Sequence, residues 1–554
     1  MKHGTVYLVG AGPGDAGLLT MRGAELLGRA DVVVYDALVN PDLLHLAPKS
    51  AEVIYGGKRA KDHAIPQDEL NGLLVAKARE GKTVVRLKGG DPYIFGRGGE
   101  EAEELAAAKI LFEVVPGVSS IVAAPNYAGI PLTHRDHCSN FTVITGHEDP
   151  TKEETALDWE GIAKLPGTKV ILMGVERIRS LAESLVAGGM KPSTPVGMVR
   201  WGTTGRQQSI DGTLANIADI VAAKDFKAPA VTIIGDVVKL RGKLNWFEQR
   251  PLFGQRIVVT RTREQASQLS RQLIERGAEV LEIPTIRIEA PDDRQSLVEA
   301  MTGIGEYEWI VFTSPNGVTQ FFDYFFKSFE DVRALGGTRI AAVGPATAAK
   351  LKDLHLKVDL MPEEYLTTEI AAAFKNYQDI ENVKMLLLRA QVANPELVGA
   401  LEAMGAIVDD VSVYKTVPET EDRTGAAARL LEEGADWITF TSSSTVQNFH
   451  ARFDLPALLK RFPRMKTASI GPETSKALRA LKLEPDVEAR VHTIDGLAKA
   501  VEATIHGTGK KGRSAEERVH VLRFTFQSFH LQSARLWIFK SPPCATQQPI
   551  RTAS

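Results

Sequence analysis

Val6-Tyr-Leu-Val-Gly-Ala-Gly-Pro-Gly-Asp15 decides how the chain is read: an apolar run leads straight into three closely spaced glycines and an aspartate. The run reads as a strand and the glycines as the loop at its end. Gly10, Gly12 and Gly14 lack Cβ atoms, so the loop turns sharply and admits a ligand close to the backbone, while Pro13 stiffens it. A dinucleotide fingerprint would place glycines at the first, third and sixth positions before a helix that receives a pyrophosphate. Counted from Gly10, the sixth position is Asp15, whose charge would repel a pyrophosphate. The loop therefore suits an adenosine-bearing ligand with no phosphate beside it, and S-adenosylmethionine is one. A glycine-rich turn ahead of a helix over residues 18–27 is the plainer reading of the same residues.

Working outward, Asp31-Val-Val-Val-Tyr-Asp-Ala-Leu38 reads as a buried strand of a mainly parallel sheet, with Asp36 where the apolar run ends. Ligands bind beyond such strand ends, although Asp36 taken alone is better read as the cap of the next helix. Gly56-Gly-Lys-Arg59 follows another strand, Glu52–Tyr55, and sets Lys58 at a comparable loop. Val84-Val-Arg-Leu-Lys-Gly-Gly-Asp-Pro-Tyr-Ile-Phe-Gly-Arg-Gly-Gly-Glu-Glu101 opens a strand into a loop with glycines at 89, 90, 96, 98 and 99 plus Asp91, Arg97 and Glu100. Few surface loops combine so many glycines with charges. Val114-Val-Pro-Gly-Val-Ser-Ser120 ends a strand in hydroxyls, and Gly129-Ile-Pro-Leu-Thr-His-Arg-Asp136 is a polar loop carrying Arg135.

With 554 residues the chain should hold two to four domains. Its 44% apolar and 24% charged content, without heptads, argues against a filament or a disordered scaffold. No segment is long and apolar enough to span a membrane, and no signal peptide precedes the first strand, so a soluble cytoplasmic protein is expected. Two cysteines, Cys138 and Cys544, supply neither a disulfide framework nor a thiolate metal site. HExxH, Walker A and EF-hand patterns are absent, so no metal is expected. A net charge of -3 argues against general nucleic-acid affinity, while local basic clusters can still gather an acidic small molecule.

VGAGPGD, YDALV, GGKRA, RLKGGDPYIFGRGGEE, VVPGVSS, GIPLTHRD, ITGH and LNWF fall in one order. Together they resemble the uroporphyrinogen-III C-methyltransferases over nearly all of residues 4–247. The resemblance implies a two-lobed α/β fold, a homodimer, and S-adenosyl-L-methionine in the cleft between the lobes. It implies cofactor contacts from Pro13, Gly89, Gly90, Asp91, Ile94, Ser119, Ser120, Met173, Gly202 and Ala230, with Asp36 as proton acceptor and Lys58 as donor. The family often has Thr-Ala where this chain has Ser119-Ser120. Arg97, Glu100 and Arg135 form the implied substrate-facing group, and guanidinium groups suit a macrocycle rimmed by carboxylates.

The apolar pattern restarts at Ile257 after a polar stretch over residues 236–254, which marks a domain boundary. Beyond that boundary the sequence repeats itself. Arg261 and Arg389 stand 128 residues apart (389 − 261), and Gly277 with Gly405 and Thr313 with Thr441 keep that spacing. Such a period predicts two similar α/β lobes. FTSPNGV, AVGPATA, PEEYLTTEIA, VYKT, FTSSSTV and IGPETSKAL resemble uroporphyrinogen-III synthase over residues 253–506. That family's fold implies that each repeat's opening strand and helix join the opposite lobe, with extended crossings near Thr285 and Tyr414. It also suggests Tyr365 as the group assisting hydroxyl departure, with Thr313, Ser314, Gly344, Thr441, Ser442, Ser443 and Gly471 gripping carboxylates. Ordinary helix capping would explain one such site well; four paired sites favour a binding role.

The expected architecture is thus α/β throughout: a two-lobed tetrapyrrole methylase over residues 1–248, a two-lobed, internally duplicated synthase module over 253–506, and an irregular, disordered tail over 507–554. The expected function is bifunctional. The second half cyclises hydroxymethylbilane to uroporphyrinogen III, and the first methylates it twice to precorrin-2 for siroheme or cobalamin. Expected partners are small-molecule tetrapyrroles, with no nucleic acid and no membrane. The alternative is a methylase-fold enzyme acting on another acceptor, with the second half a ligand sensor.

Overall fold

The computed structural model describes residues 3–57, 66–146, 157–260, 263–363 and 369–507, and for residues 263–267 the backbone alone. The expected tail lies outside them apart from Gly507, which ends the helix Ile494–Gly507. Four five-stranded sheets lie within one compact unit, Met1–Ile505.

The first sheet holds β1 (Thr5–Gly10), β2 (Val32–Tyr35), β3 (Glu52–Tyr55), β4 (Val84–Lys88) and β5 (Leu111–Val115) in the order β3-β2-β4-β1-β5. Every pairing is parallel. Helices cover both faces of such a sheet, which is why Val32, Val33 and Val34 are consecutive yet all buried. Four helices position the strand-end loops: α1 (Met21–Leu27), α2 (Gln67–Arg79), α3 (Gly98–Ala107) and α4 (Ser120–Tyr127). The single helix expected over residues 18–27 is instead two pieces. Asp15 caps a 3-10 turn at Ala16–Leu18, and Thr20 then caps α1, so two side-chain acceptors each start a new element.

The second sheet is mixed. It comprises β6 (Phe141–Thr145), β7 (Thr168–Leu172), β8 (Pro195–Arg200), β9 (Gln208–Thr213) and β10 (Ala230–Ile234) in the order β6-β7-β10-β8-β9, and β10 runs antiparallel to both neighbours. The ends of β7 and β8 and the start of β10 therefore meet at one edge.

The remaining sheets carry the duplication. The third orders β11 (Arg256–Val259), β12 (Glu279–Glu282), β18 (Trp437–Phe440), β19 (Lys466–Ser469) and β20 (Val487–Glu488) as β12-β11-β18-β19-β20. The fourth orders β13 (Ile286–Glu289), β14 (Trp309–Phe312), β15 (Arg339–Ala342), β16 (Lys384–Ala390) and β17 (Ile407–Pro418) as β13-β17-β16-β14-β15. The first repeat's opening strands β11 and β12 thus join the second repeat's β18 to β20, and β16 joins β14 and β15. This is the exchange the resemblance implied. The crossings are extended, with β13 antiparallel to the far end of β17. Equivalent side chains fill equivalent cores: Trp309 and Trp437, Phe312 and Phe440, and Phe321 and Phe449 are all buried.

Candidate functional site

The strand ends of the first sheet form a notch lined by main chain. Gly12 and Gly90 exchange backbone hydrogen bonds of 3.2 and 2.8 Å, locking the turn after β1 to the turn after β4. The turn after β5 packs on both. A Cβ on Gly117 would sit 2.2 Å from the Gly90 carbonyl oxygen and 2.7 Å from the Gly10 Cα, a distance no side chain survives. Asp91 finishes the lock, accepting from the Gly117 amide at 3.0 Å and the Tyr93 amide at 2.9 Å.

Across from it stands the second lobe. Asp15, read from the sequence as a guard against phosphate, ties the lobes: its amide donates to Thr203 Oγ1 at 3.0 Å and its carboxylate accepts from the Tyr127 hydroxyl at 2.8 Å. Burial and this carboxylate push the Tyr127 phenol up. A Cβ on Gly14 would lie 3.3 Å from the Gly202 carbonyl oxygen, so the Pro13 loop and Gly202 share one edge of the cleft. Met173, half-exposed and left-handed at φ 55, follows β7, and Ala230 opens β10, at the same edge of the second sheet as Gly202.

Among the expected cofactor residues, Pro13, Gly89, Gly90, Asp91, Ser119 and Gly202 come together here. Ser120 is the first residue of α4, whereas Ser119 is buried and caps it, accepting from the Ile121 amide at 3.4 Å. Ile94 lies partly exposed in the loop beyond Asp91. Arg97 and Glu100 pair with each other, Nε to Oε1 at 3.0 Å and Nη2 to Oε2 at 2.5 Å, with both side chains exposed. Arg135 is exposed in the turn closed by His134 and Cys138. Lys58 and Tyr365 lie outside the described residues.

Asp36 follows β2 and does not cap the next turn, since Asn40 caps Pro41–Leu46. Its carboxylate meets a buried ionic cluster that sequence reading missed. Arg86 Nη2 reaches Asp36 Oδ1 at 2.5 Å, and Arg86 Nε reaches Glu101 Oε1 at 3.2 Å. Lys88 Nζ bonds the same Glu101 oxygen at 2.7 Å and lies 3.9 Å from Asp36 Oδ2. Burial and the adjacent Arg86 push the Lys88 ammonium down. A signal was present: Arg86 and Lys88 interrupt a strand that must be buried on both faces, so each needs an internal counter-charge.

In the duplicated half, the expected residues gather in two equivalent sets. Thr313 and Ser314 precede the helix Pro315–Ser328, and Gly344 precedes Pro345–Asp353. Thr441 and Ser442 precede Ser443–Phe453, and Gly471 precedes Pro472–Ala480. The Val343 amide donates to Phe312 and the Ile470 amide to Phe440, so each set lies at one sheet edge. Helix capping occupies the serines. Ser314 accepts from the Gly317 amide at 3.0 Å, and Ser442 and Thr445 form a reciprocal capping box. Ser443 Oγ donates to the Glu473 carbonyl at 2.8 Å, joining the two helix starts. The Tyr414 hydroxyl, from the crossing strand, lies 3.1 Å from Ser314 Oγ, and burial pushes this phenol up.

Comparison with known proteins gives matches to both halves. The family model described as Tetrapyrrole (Corrin/Porphyrin) Methylases matches residues 5–218, and that described as Uroporphyrinogen-III synthase HemD matches 267–499. The porphyrin biosynthesis protein HemD of Ruminiclostridium josui is 40% identical over 498 residues, covering 90% of this chain and 97% of that protein. An S-adenosyl-L-methionine-dependent uroporphyrinogen III methyltransferase of Methanosarcina barkeri is 56% identical over 249 residues, 45% of this chain and 97% of its own length. The uroporphyrinogen-III C-methyltransferase of Bacillus subtilis is 41% identical over 394 residues, 71% of this chain and 81% of its own. With a notch of glycine turns and a duplicated, strand-exchanged module in one chain, and a relative matched along both, the chain belongs to the family of tetrapyrrole-biosynthesis enzymes that join a uroporphyrinogen-III C-methyltransferase to a uroporphyrinogen-III synthase.

Proposed function

We propose that residues 253–506 cyclise hydroxymethylbilane to uroporphyrinogen III and that residues 1–248 methylate this product twice to precorrin-2, upstream of siroheme or cobalamin. The observation that carries the proposal is the Ruminiclostridium relative, which aligns along both halves without a break in their order. One half's product is then the other's substrate.

The notch fits S-adenosyl-L-methionine. Gly10 and Gly117 pack too closely for any side chain, Gly12 and Gly90 turn at φ 78 and 69, and the charges placed there, Asp15 and Asp91, are acidic, as suits a sulfonium rather than a phosphate. When bound, this cofactor supplies an electrophilic methyl group. The protein's part is alignment and proton removal. The acceptor carbon of the pyrrole already bears a side chain and has no hydrogen, so once it has received the methyl group that the cofactor would supply, the proton passing to Asp36 would come from a pyrrole N–H or an adjacent methylene bridge of the macrocycle. Lys58 is the proposed proton donor. Arg135, and Arg97 once drawn from Glu100, grip the macrocycle's carboxylates.

In the synthase half, the hydroxyls and helix starts at Thr313, Ser314 and Gly344 and at Thr441, Ser442, Ser443 and Gly471 hold the acidic side chains of the linear tetrapyrrole while one ring inverts. Tyr365 assists loss of the hydroxyl. The strand exchange leaves two extended crossings, β13 and β17, about which these lobes hinge. The methylase half forms the homodimer.

Uroporphyrinogen III and labelled S-adenosyl-L-methionine, supplied to the purified chain, test the first half. Two labelled methyl groups per macrocycle are expected; a product with one, or none, contradicts the reading.

A further inference from the structure

We infer that Arg86 is a positioning residue of the methyl-transfer site, clamping one carboxylate oxygen of Asp36 and leaving the other to take the macrocycle's proton. The inference rests on the reading of Asp36 as proton acceptor.

Arg86 lies in the middle of β4 and its side chain is only 2% exposed, whereas that of Asp36 is 30% exposed. Its planar fork is held from three directions. Nη2 meets Asp36 Oδ1 after β2, Nε meets Glu101 Oε1 in the first turns of α3, and Nη1 donates to the Val34 carbonyl of β2 at 3.5 Å. Glu101 is in turn fixed by Lys88 and by Gln67 Nε2, from α2, at 3.2 Å. The guanidinium therefore cannot rotate without breaking contacts to three residues, and the Asp36 carboxylate inherits that fixity. Among the described residues, Asp36 Oδ2 has Lys88 alone beside it, 3.9 Å away and beyond hydrogen-bond reach.

Stability alone does not account for this arrangement. Buried ion pairs commonly gain nothing over well-packed apolar residues. Glu101 makes matters worse: Oε1 accepts all three donors, while Oε2 is buried without a partner among the described residues. The half-buried member of the cluster is the one at the strand end beside the notch, so the buried charges serve as an anchor for it. Lysine cannot replace arginine here, because a single ammonium cannot reach Asp36, Glu101 and the Val34 carbonyl together.

The test is a double-mutant cycle on the full chain, assayed by methyl transfer to uroporphyrinogen III, with cofactor affinity read by calorimetry. Arg86→Met should lower kcat about 10- to 100-fold, within the range of lost acid–base assistance, while cofactor affinity stays within about threefold. In an Asp36→Asn background the same change should cost nothing more, because its effect passes through Asp36. Losses that multiply, or a wild-type kcat for Arg86→Met, would overturn the inference. Should Arg86→Met fail to bind cofactor, Arg86→Lys takes its place in the cycle, with a kcat loss of about tenfold expected and wild-type kcat contradicting it. Wild-type transfer by Asp36→Asn would instead defeat the reading of Asp36 itself, an outcome separate from failure of the Arg86 cycle alone.

Discussion

The first sheet and the duplicated sheets both gather at their strand ends the residues proposed to meet acidic tetrapyrroles, but with different materials. Behind the first sheet's glycine notch lie four charges, Arg86, Lys88, Glu101 and Asp36, three of them buried. The duplicated sheets end in neutral hydroxyls already engaged as helix caps. Methyl transfer needs a proton acceptor fixed to a fraction of an ångström, and buried ion pairs supply rigidity. Ring closure with inversion needs a shape that holds a reactive intermediate while the lobes adjust, and caps supply dipoles without locking the lobes.

The difference is sharpened first by Gly117→Ala. Its Cβ would fall 2.2 Å from the Gly90 carbonyl oxygen, so the strand-end turns must separate. Methyl transfer should be abolished, while conversion of hydroxymethylbilane to uroporphyrinogen III continues. Loss of both activities would show that the notch also supports the second half. A smaller effect is expected for Arg135→Ala, which should raise KM for uroporphyrinogen III about tenfold or more through loss of a charge-assisted contact, with cofactor binding unchanged by calorimetry. Lost cofactor binding would contradict its substrate-facing role.

Smaller again are the caps. Ser442→Ala removes the hydroxyl half of the capping box, and Ser314→Ala removes a cap bond together with the contact to the Tyr414 hydroxyl, so losses of about 1 kcal/mol are expected in chemical denaturation, larger for Ser314. Equal losses would mean that the Tyr414 contact adds nothing.

The smallest prediction concerns the contact between the halves, where the Gly254 amide donates to the Gly205 carbonyl and Arg206 lies 3.9 Å from Glu279. At this contact, burial, with Glu282 close by, raises the Asp42 carboxyl to about 6 from an ordinary 3.8. The folded chain thus holds this proton more tightly than the unfolded one. The stabilisation is complete below pH 3.8 and is lost as pH rises through 6, where a buried carboxylate must ionise. Asp42→Asn should raise the thermal midpoint at pH 7.5, and the gain should narrow as pH falls from 6 towards 4. A gain independent of pH would place the effect elsewhere.

Much of this was legible in the sequence because glycines and repeats report geometry directly. Gly10, Gly12 and Gly90 are where strand ends touch, and a spacing of 128 residues (437 − 309) carried Trp309 onto Trp437. The strand exchange between repeats was expected from family resemblance, since local patterns carry no information about which sheet a strand joins. Partnership stayed hidden. Arg86 and Glu101 lie 15 residues apart, and nothing local states that their charges meet inside the protein. Asp15 was read through its charge, whereas its contacts to Tyr127 and Thr203 come from elements 112 and 188 residues away. Ser314 and Ser442 show the converse, as local capping explains their position whether or not a substrate also binds there.

The central claim is that both halves act on one macrocycle in turn. Hydroxymethylbilane and methyl-labelled S-adenosyl-L-methionine, incubated together with the full chain, address it most directly. A doubly methylated product of the type III isomer is expected. Unmethylated type I macrocycle, the outcome of spontaneous closure, would contradict it.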